Sequence, residues 1–333
     1  MPEELMIRFV LFVLPLLVVF ILWKGTTTGW RSTVTVLPDL TETQKVCVQE
    51  SKRIIQKLAV EIGPRNYMSR PALTRAKEYI KEKFMESGYE TSIHTFEQDG
   101  QEYHNVIAQW PGSPSDDVVL LGAHYDTCFN PGADDNGSGI AGLLLVAEQF
   151  VNFESRQHMR FVAFANEEPP FFKSKGMGSW YYVESLRDKN ASVRLAVVLE
   201  MIGYYSNKRN SQRYMPFLGP FYPNRGNFIA MISNISSFST TRKFMRHFKK
   251  KTAMPTASLV GPGFIPPLDF SDHLSFWSFG YPSLMLTDTA FLRNPNYHTS
   301  TDLPETLDYE RMAIVITGLA DALDQYIRES YKK

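Results

Sequence analysis

Cysteine is almost missing from this chain: Cys47 and Cys128 are the only two among 333 residues. Neither their number nor their spacing fits a disulfide framework or a structural zinc pair, and a single bridge between them is left open. Charge bias is missing as well. Thirty-five basic and 35 acidic side chains give a formal net charge of zero, so nothing global favours nucleic acid or an anionic surface, and no nucleic-acid partner is expected. The cluster Arg242, Lys243, Arg246 and Lys249 to Lys251 falls on a predicted helix and reads as its solvated face. Internal repeats and low-complexity segments are absent. So is an apolar run of the ~20 residues that comfortably span a bilayer. The run from Phe9 to Trp23 has fifteen residues, counting Pro15, between Arg8 and Lys24. No small-x-small cleavage site follows it, so residues 1–35 are expected to form an uncleaved single-pass anchor and a threonine-rich linker, ahead of a domain over 36–333. Arg8 on one flank nearly balances Lys24 and Arg31 on the other, so charge leaves the orientation open.

Apolar material is plentiful: 44% of the residues are hydrophobic and 13% aromatic, enough for one domain of roughly 300 residues with a large core. The chain is organised around Leu120 to Phe150. Val118 to Gly122 is a continuously apolar strand, followed by His124, Asp126, a loop with Asp134 and Asp135, and a helix opening near Ser138. A buried acidic cluster of this kind needs a cation. By itself His124 is equally a satisfied core histidine, and Asp-Asn-Gly an ordinary turn signal. The pattern recurs, however. Met159 to Ala165 is a second buried strand, delivering Asn166, Glu167 and Glu168, and Leu195 to Leu199 is a third, ending in Glu200.

Around these lie predicted helices at 41–62, with a Thr41/Gln44 capping box, and at 71–87, then strands at 90–96 and 105–110. A crossover helix is predicted at 176–186, a strand at 226–233, a helix at 237–251, a short helix at 271–277, a strand at 282–287 and a closing helix at 309–327. Alternating strands and helices give an α/β fold: a three-layer α/β/α sandwich with a mixed, mainly parallel sheet and the site at the carboxyl edge of its strands. The aromatic, turn-rich segment Tyr204 to Arg225 reads as a substrate wall, with Phe129, Tyr204, Tyr205 and Phe264 as candidates to line an apolar pocket.

At that edge His124, Asp135, Glu168, Glu200 and His298 are candidate metal ligands. Two imidazoles with several carboxylates suit zinc, and more than four donors suggest two ions sharing a bridging carboxylate. Two such ions polarise a carbonyl and lower the pKa of a trapped water. Glu167, beside a ligand, is the candidate general base. Asp126 is placed to hold the second nitrogen of His124. Cys128 reads as a small side chain packed beside the site, with a reactive thiol as the other reading.

At these residues the chain resembles the co-catalytic zinc peptidase family that includes the secreted bacterial leucyl aminopeptidases, glutamate carboxypeptidase and, more distantly, glutaminyl cyclase. The motifs are His124-Tyr-Asp126, Gly132-Ala-Asp-Asp135-Asn-Gly-Ser-Gly139, Phe164-Ala-Asn-Glu167-Glu168, Gly176-Met-Gly-Ser179, Leu199-Glu-Met-Ile-Gly203, Ser271-Asp-His273 and Tyr297-His298, in order across residues 40 to 330. The resemblance implies that His124, Asp135 and Glu200 hold one zinc and that Asp135, Glu168 and His298 hold the other. Alignment on Gly137-Ser-Gly139 selects Asp135 over Asp134 as the bridge, and implies a cis bond at Asn136. Tyr297 matches a tyrosine that donates to the oxyanion. Glu200 departs from the aspartate usual there, which alters the first site. The expected activity is a membrane-tethered, extracytoplasmic zinc aminopeptidase acting on peptides with free amino termini. A single-zinc glutaminyl-peptide cyclase is the alternative, and a metal-free binding module is disfavoured by the complete ligand set.

Overall fold

Strands buried on both faces read as unbroken apolar runs, and three such runs build the centre of this molecule. A computed structural model describes residues 36–332 apart from 115, 116 and 217. The expected anchor and linker lie outside the described residues. Among the described residues, no helix is long and apolar enough to cross a membrane.

Eight strands form one mixed sheet: β1 (Glu90–Gln98), β2 (Gln101–Gln109), β3 (Asp117–His124), β4 (Met159–Phe164), β5 (Ser192–Glu200), β6 (Ile229–Asn234), β7 (Thr256–Gly261) and β8 (Ser283–Thr287), in the order β1-β2-β4-β3-β5-β8-β6-β7. The run β4-β3-β5-β8 is parallel throughout. All four strands therefore deliver their following residues to one edge. β2 joins β4 antiparallel, and β6, paired in parallel with β7, joins β8 antiparallel. The helices are α1 (Glu42–Gln56), α2 (Arg70–Glu86), α3 (Gly139–Phe150), α4 (Gly178–Asp188), α5 (Phe238–Lys251), α6 (His273–Ser278) and α7 (Tyr309–Tyr331). Val119, Leu121, Leu195, Val197 and Leu199 point to the face packed by α1, α2, α3, α5 and α7. Their neighbours Val118, Leu120, Ala196 and Val198 point to the other, against Tyr182 and Val183 of α4 and Phe276 of α6. The period-two alternation explains why each strand is apolar at every position. The three-layer architecture expected from the sequence is the one observed.

The local departures have local causes. The capping box forms as expected: Gln44 N–H donates to Thr41 Oγ1 and Thr41 N–H to Gln44 Oε1. The first helix then widens into a π-helical turn over Lys57–Ile62 and stops at Gly63, whose φ is 78°. β1 and β2 run longer than predicted and meet in a two-residue turn, Asp99-Gly100, with φ of 53° and 71°. Both positive angles are what a tight hairpin of this hand requires. The polar ends of the two strands hid them. β7 was not anticipated: Thr-Ala-Ser-Leu-Val-Gly has few large apolar residues, and it becomes a strand by pairing with β6.

His273, at the start of α6, is fully buried and its Nε2 lies 2.7 Å from the Leu268 carbonyl. A carbonyl only accepts, so Nε2 carries the proton. Burial lowers its pKa from 6.5 to about 4, partly offset by that hydrogen bond. The unfolded chain therefore binds a proton that the folded chain refuses between pH 6.5 and 4. Stability from this group is complete above pH 6.5 and falls as pH drops through that window, by up to about 3 kcal/mol. Urea unfolding of the wild type and His273→Gln from pH 7 to 4 should show a shallower acid loss in the variant; parallel curves would contradict the assignment.

Candidate metal centre

Four consecutive carboxyl ends build the site. β3 ends in His124, wholly buried, whose Nε2 is 3.3 Å from Glu200 Oε2, 3.5 Å from Asp135 Oδ1 and 4.0 Å from Glu167 Oε2. Its Nδ1 is 3.4 Å from Asp126 Oδ1. Asp126 also fixes the loop after β4, because its carboxylate accepts the backbone N–H groups of Glu167 and Glu168, at 3.1 and 3.0 Å. β5 delivers Glu200, whose Oε2 also accepts from Ser271 Oγ at 2.7 Å. The loop beyond β8 brings His298, with Nε2 3.1 Å from both Asp135 Oδ2 and Glu168 Oε2.

All five candidate ligands thus meet, in two groups that share Asp135. One oxygen of that carboxylate faces His124 and the other His298, the disposition a bridging carboxylate needs. The Asp135–Asn136 peptide is cis. Asp134 turns away, accepting from Gly203 N at 2.9 Å and Asn294 Nδ2 at 2.7 Å, so it braces the loop. Glu167 lies beside the His124 group. Tyr297 stacks on the His298 ring at 3.8 Å and borders the same space.

The electrostatics are those of surplus negative charge in a dry place. Burial, reinforced by neighbouring carboxylates, pushes Glu167 well up, though His124 opposes it. Burial and Asp135 carry Glu168 to about 8 against the pull of His298. Glu200 is also raised, chiefly by burial. Burial acts on Asp135 in the same direction, yet its contacts with both imidazoles outweigh that and hold it low. The imidazoles respond in kind: burial alone would lower His298, but Asp135 and Glu168 lift it to about 10, and His124 is raised by Glu200, Asp126 and Asp135. Several facing atoms, namely His124 Nε2, Asp135 Oδ2, Glu168 Oε1 and His298 Nε2, are buried without a hydrogen bond. Buried polar atoms left this way cost stability. Imidazoles and carboxylates converging at 3.1–3.5 Å in two groups are a donor set that fits a divalent cation in each group.

A cavity of about 340 Å³ opens beside these donors. Gln212, Tyr214, Met215, Leu218 and Tyr222 of the 204–225 segment line it, as the wall reading expected, along with Phe172, Phe228, Phe270 and Phe291. The four aromatic candidates named from sequence do not: Tyr205 is buried with its hydroxyl on the Ile202 carbonyl, Phe129 and Phe264 are 52% and 81% exposed, and Tyr204 lies outside the lining. Aromatic composition marked the right segment and the wrong rings. Cys128 is half-buried at the His298 group; burial, then the surrounding carboxylates, push its thiol up to about 12. A thiol held protonated is a poor nucleophile, in keeping with the reading of Cys128 as a small side chain packed beside the site.

Two residues escaped the sequence reading. Arg65, wholly buried, donates to the carbonyls of Tyr125 (2.7 Å), Pro131 (2.8 Å), Gly132 (2.9 Å), Leu58 (3.2 Å) and Gly63 (3.4 Å). It clamps the segments bearing His124 and Asp135 from beneath. Asp302, also buried, accepts the N–H groups of Asp134 and Asp135 at 2.9 and 3.1 Å, tying the His298 loop to the bridging residue. Neither carries a local signal: Arg65 simply follows Gly63-Pro64, and Asp302 lies between Thr301 and Leu303.

A sheet edge that gathers imidazoles and carboxylates around orphaned, mutually facing atoms defines a metallohydrolase-type centre. The chain belongs to peptidase family M28, whose model matches residues 105–322, and it is accordingly a hydrolase. It is 37% identical over 285 residues to the uncharacterized protein YfbL of Escherichia coli K12, covering 83% of this chain and 87% of that protein. Among solved structures it is similar to a zinc aminopeptidase from Bacillus subtilis, with a TM-score of 0.66, 16% identity and coverage of 86% and 96%. It also resembles the Tannerella forsythia glutaminyl cyclase, with a TM-score of 0.60, 18% identity and coverage of 86% and 99%.

Arg65 offers the sharpest test of this scaffold. Burial lowers its pKa to about 10, so it is still charged at pH 7. Arg65→Met strips donors from five carbonyls at once and should cost the metal-free protein about 3 kcal/mol or more, read as a lower urea midpoint. A loss under about 1 kcal/mol would show that the clamp is dispensable.

Proposed function

We propose that this chain is a zinc-dependent aminopeptidase with two metal sites, His124, Asp135 and Glu200 holding one ion and Asp135, Glu168 and His298 the other. The carrying observation is the cavity: its described lining contains no lysine or arginine, while Asp135, Glu167, Glu168 and Glu200 are among the residues that line it. A substrate carboxylate finds no partner there, whereas a free amine is drawn to the carboxylates, so the amino end of a peptide is the end that fits. The apolar remainder suits a large hydrophobic first side chain. The similarity to a zinc aminopeptidase supports the same reading.

When bound, zinc polarises the scissile carbonyl and lowers the pKa of an attacking water. Glu167, with Oε2 4.0 Å from His124 Nε2, accepts that water's proton and returns it to the leaving amine. Tyr297, beside His298, donates its hydroxyl proton in a hydrogen bond to the oxyanion. The second reading, a single-zinc cyclase acting on amino-terminal glutamine, is favoured by one feature: Glu200 Oε2 is already engaged by Ser271. The proposal includes tethering of the domain, on the extracytoplasmic side, by the apolar run at residues 9–23. Cofractionation with membranes that survives removal of residues 1–35 would contradict the tether.

Mass spectrometry of free and blocked peptides, some beginning with glutamine, after incubation with the zinc-loaded protein tests the chemistry. Stepwise loss of amino-terminal residues from unblocked peptides alone is expected; loss of ammonia from glutamine peptides without shortening would establish the cyclase. Glu167→Gln should retain its metal and lose at least about a hundredfold in kcat, and near-normal turnover would remove Glu167 from its role.

A further inference from the structure

The groups at the sheet edge are not equally enclosed. His124, Asp135, Glu167, Glu168 and Glu200 expose under a tenth of their side chains, whereas His298 exposes 27%. The centre is therefore open to solvent on the His298 side. The loop after β3 passes there, with Cys128 Sγ, a carboxylate oxygen of Glu168 and a ring nitrogen of His298 within 4.8 Å of one another. The next residue, Phe129, is 52% exposed and has a φ of 55°. That left-handed angle is an outlier for a bulky side chain and persists only where the surroundings impose it. Here they do. Thr127 N–H donates to the Arg65 carbonyl at 2.9 Å, Arg65 N–H to Thr127 Oγ1 at 3.1 Å, and Phe129 N–H to the Thr127 carbonyl at 3.1 Å. The Phe129 ring stands edge-on to Tyr67, with centroids 5.8 Å apart, and Tyr67 meets Phe171 at 5.9 Å. Phe172 lines the cavity, while its neighbour Phe171 is turned to Tyr67 instead. Tyr67 and Phe129 are themselves outside the cavity lining.

We propose that Phe129 and Tyr67 form a shelf for the second side chain of a peptide substrate, so that turnover favours an apolar residue at that position. The inference rests on the aminopeptidase reading above. With the first side chain in the cavity and the scissile carbonyl at the candidate ligands, the rest of the peptide leaves through the open side, past His298 and over Phe129. A ring already fixed by its backbone loses little freedom when another side chain packs on it, so the contact is cheap to form. Neither shelf residue is charged, so an acidic or basic second residue gains nothing from them.

Peptides that begin with leucine and differ only at the second residue, given to the zinc-loaded full-length chain, read the shelf directly. With phenylalanine or leucine second, kcat/KM should be about tenfold higher than with glycine, and Phe129→Gly should bring that ratio close to one. Glycine accepts a φ of 55° and the ring is half exposed, so the urea midpoint of the variant should not fall. Equal kcat/KM across the wild-type series, a comparison independent of any variant's folding, would overturn the proposal. A ratio that survives in Phe129→Gly would assign the ring to packing alone and overturn it too. A wild type that shortens none of these peptides would instead overturn the aminopeptidase reading, and this inference with it.

Discussion

Buried negative charge is the constraint from which the rest of the structure follows. Asp126, Asp135, Glu167, Glu168 and Glu200 are each under a tenth exposed and crowd two imidazoles at one sheet edge. Burying like charges together raises their pKa values and costs folding free energy unless a cation or a set of donors answers them. Part of the answer is built into the chain. Asp126 is met by two backbone N–H groups, Asp302 by two more, and the guanidinium of Arg65 sits beneath the loop. Among the buried atoms left without a hydrogen bond are His124 Nε2, Asp135 Oδ2, Glu168 Oε1 and His298 Nε2, one or more from each donor group. A divalent cation held in each group, as proposed above, is the counter-charge that such a cluster calls for.

Topology makes such crowding possible. Because β3, β4, β5 and β8 run parallel side by side, residues separated by up to 174 positions in sequence, from His124 to His298, emerge at one edge. The antiparallel pair β6 and β8 marks where the sheet changes direction, and the small side chains Ala230 and Ala257 of β6 and β7 border the cavity with Tyr214 and Tyr222. Charge at the strand ends and an apolar hollow beside them are thus consequences of one sheet. Together they are the features on which the proposed preference for a peptide's free amino end rests.

Much of this was legible in the sequence because the strands that carry the chemistry are buried on both faces. Leu120-Leu-Gly-Ala-His124, the Met159 run ending at Glu168 and the Leu195 run ending at Glu200 announce both the strand and the residue it delivers. Legibility ended where a residue acts on distant backbone. Arg65 and Asp302 bind carbonyls and N–H groups as far as sixty-seven and 168 positions away, and no local pattern encodes that. β7 stayed hidden for the same reason: partnership with β6, not its own composition, makes it a strand. The pocket aromatics were misassigned because composition does not say which way a ring points.

Native mass spectrometry of the full-length chain, purified without chelator and then titrated with zinc, tests the central claim most directly. Two zinc ions per chain, lost together when Asp135 is replaced by asparagine, is the expected result. A chain that folds to the same stability and takes up no zinc at any concentration would show that the buried carboxylates are neutralised by protons alone, and the account of this edge as a metal centre would be wrong.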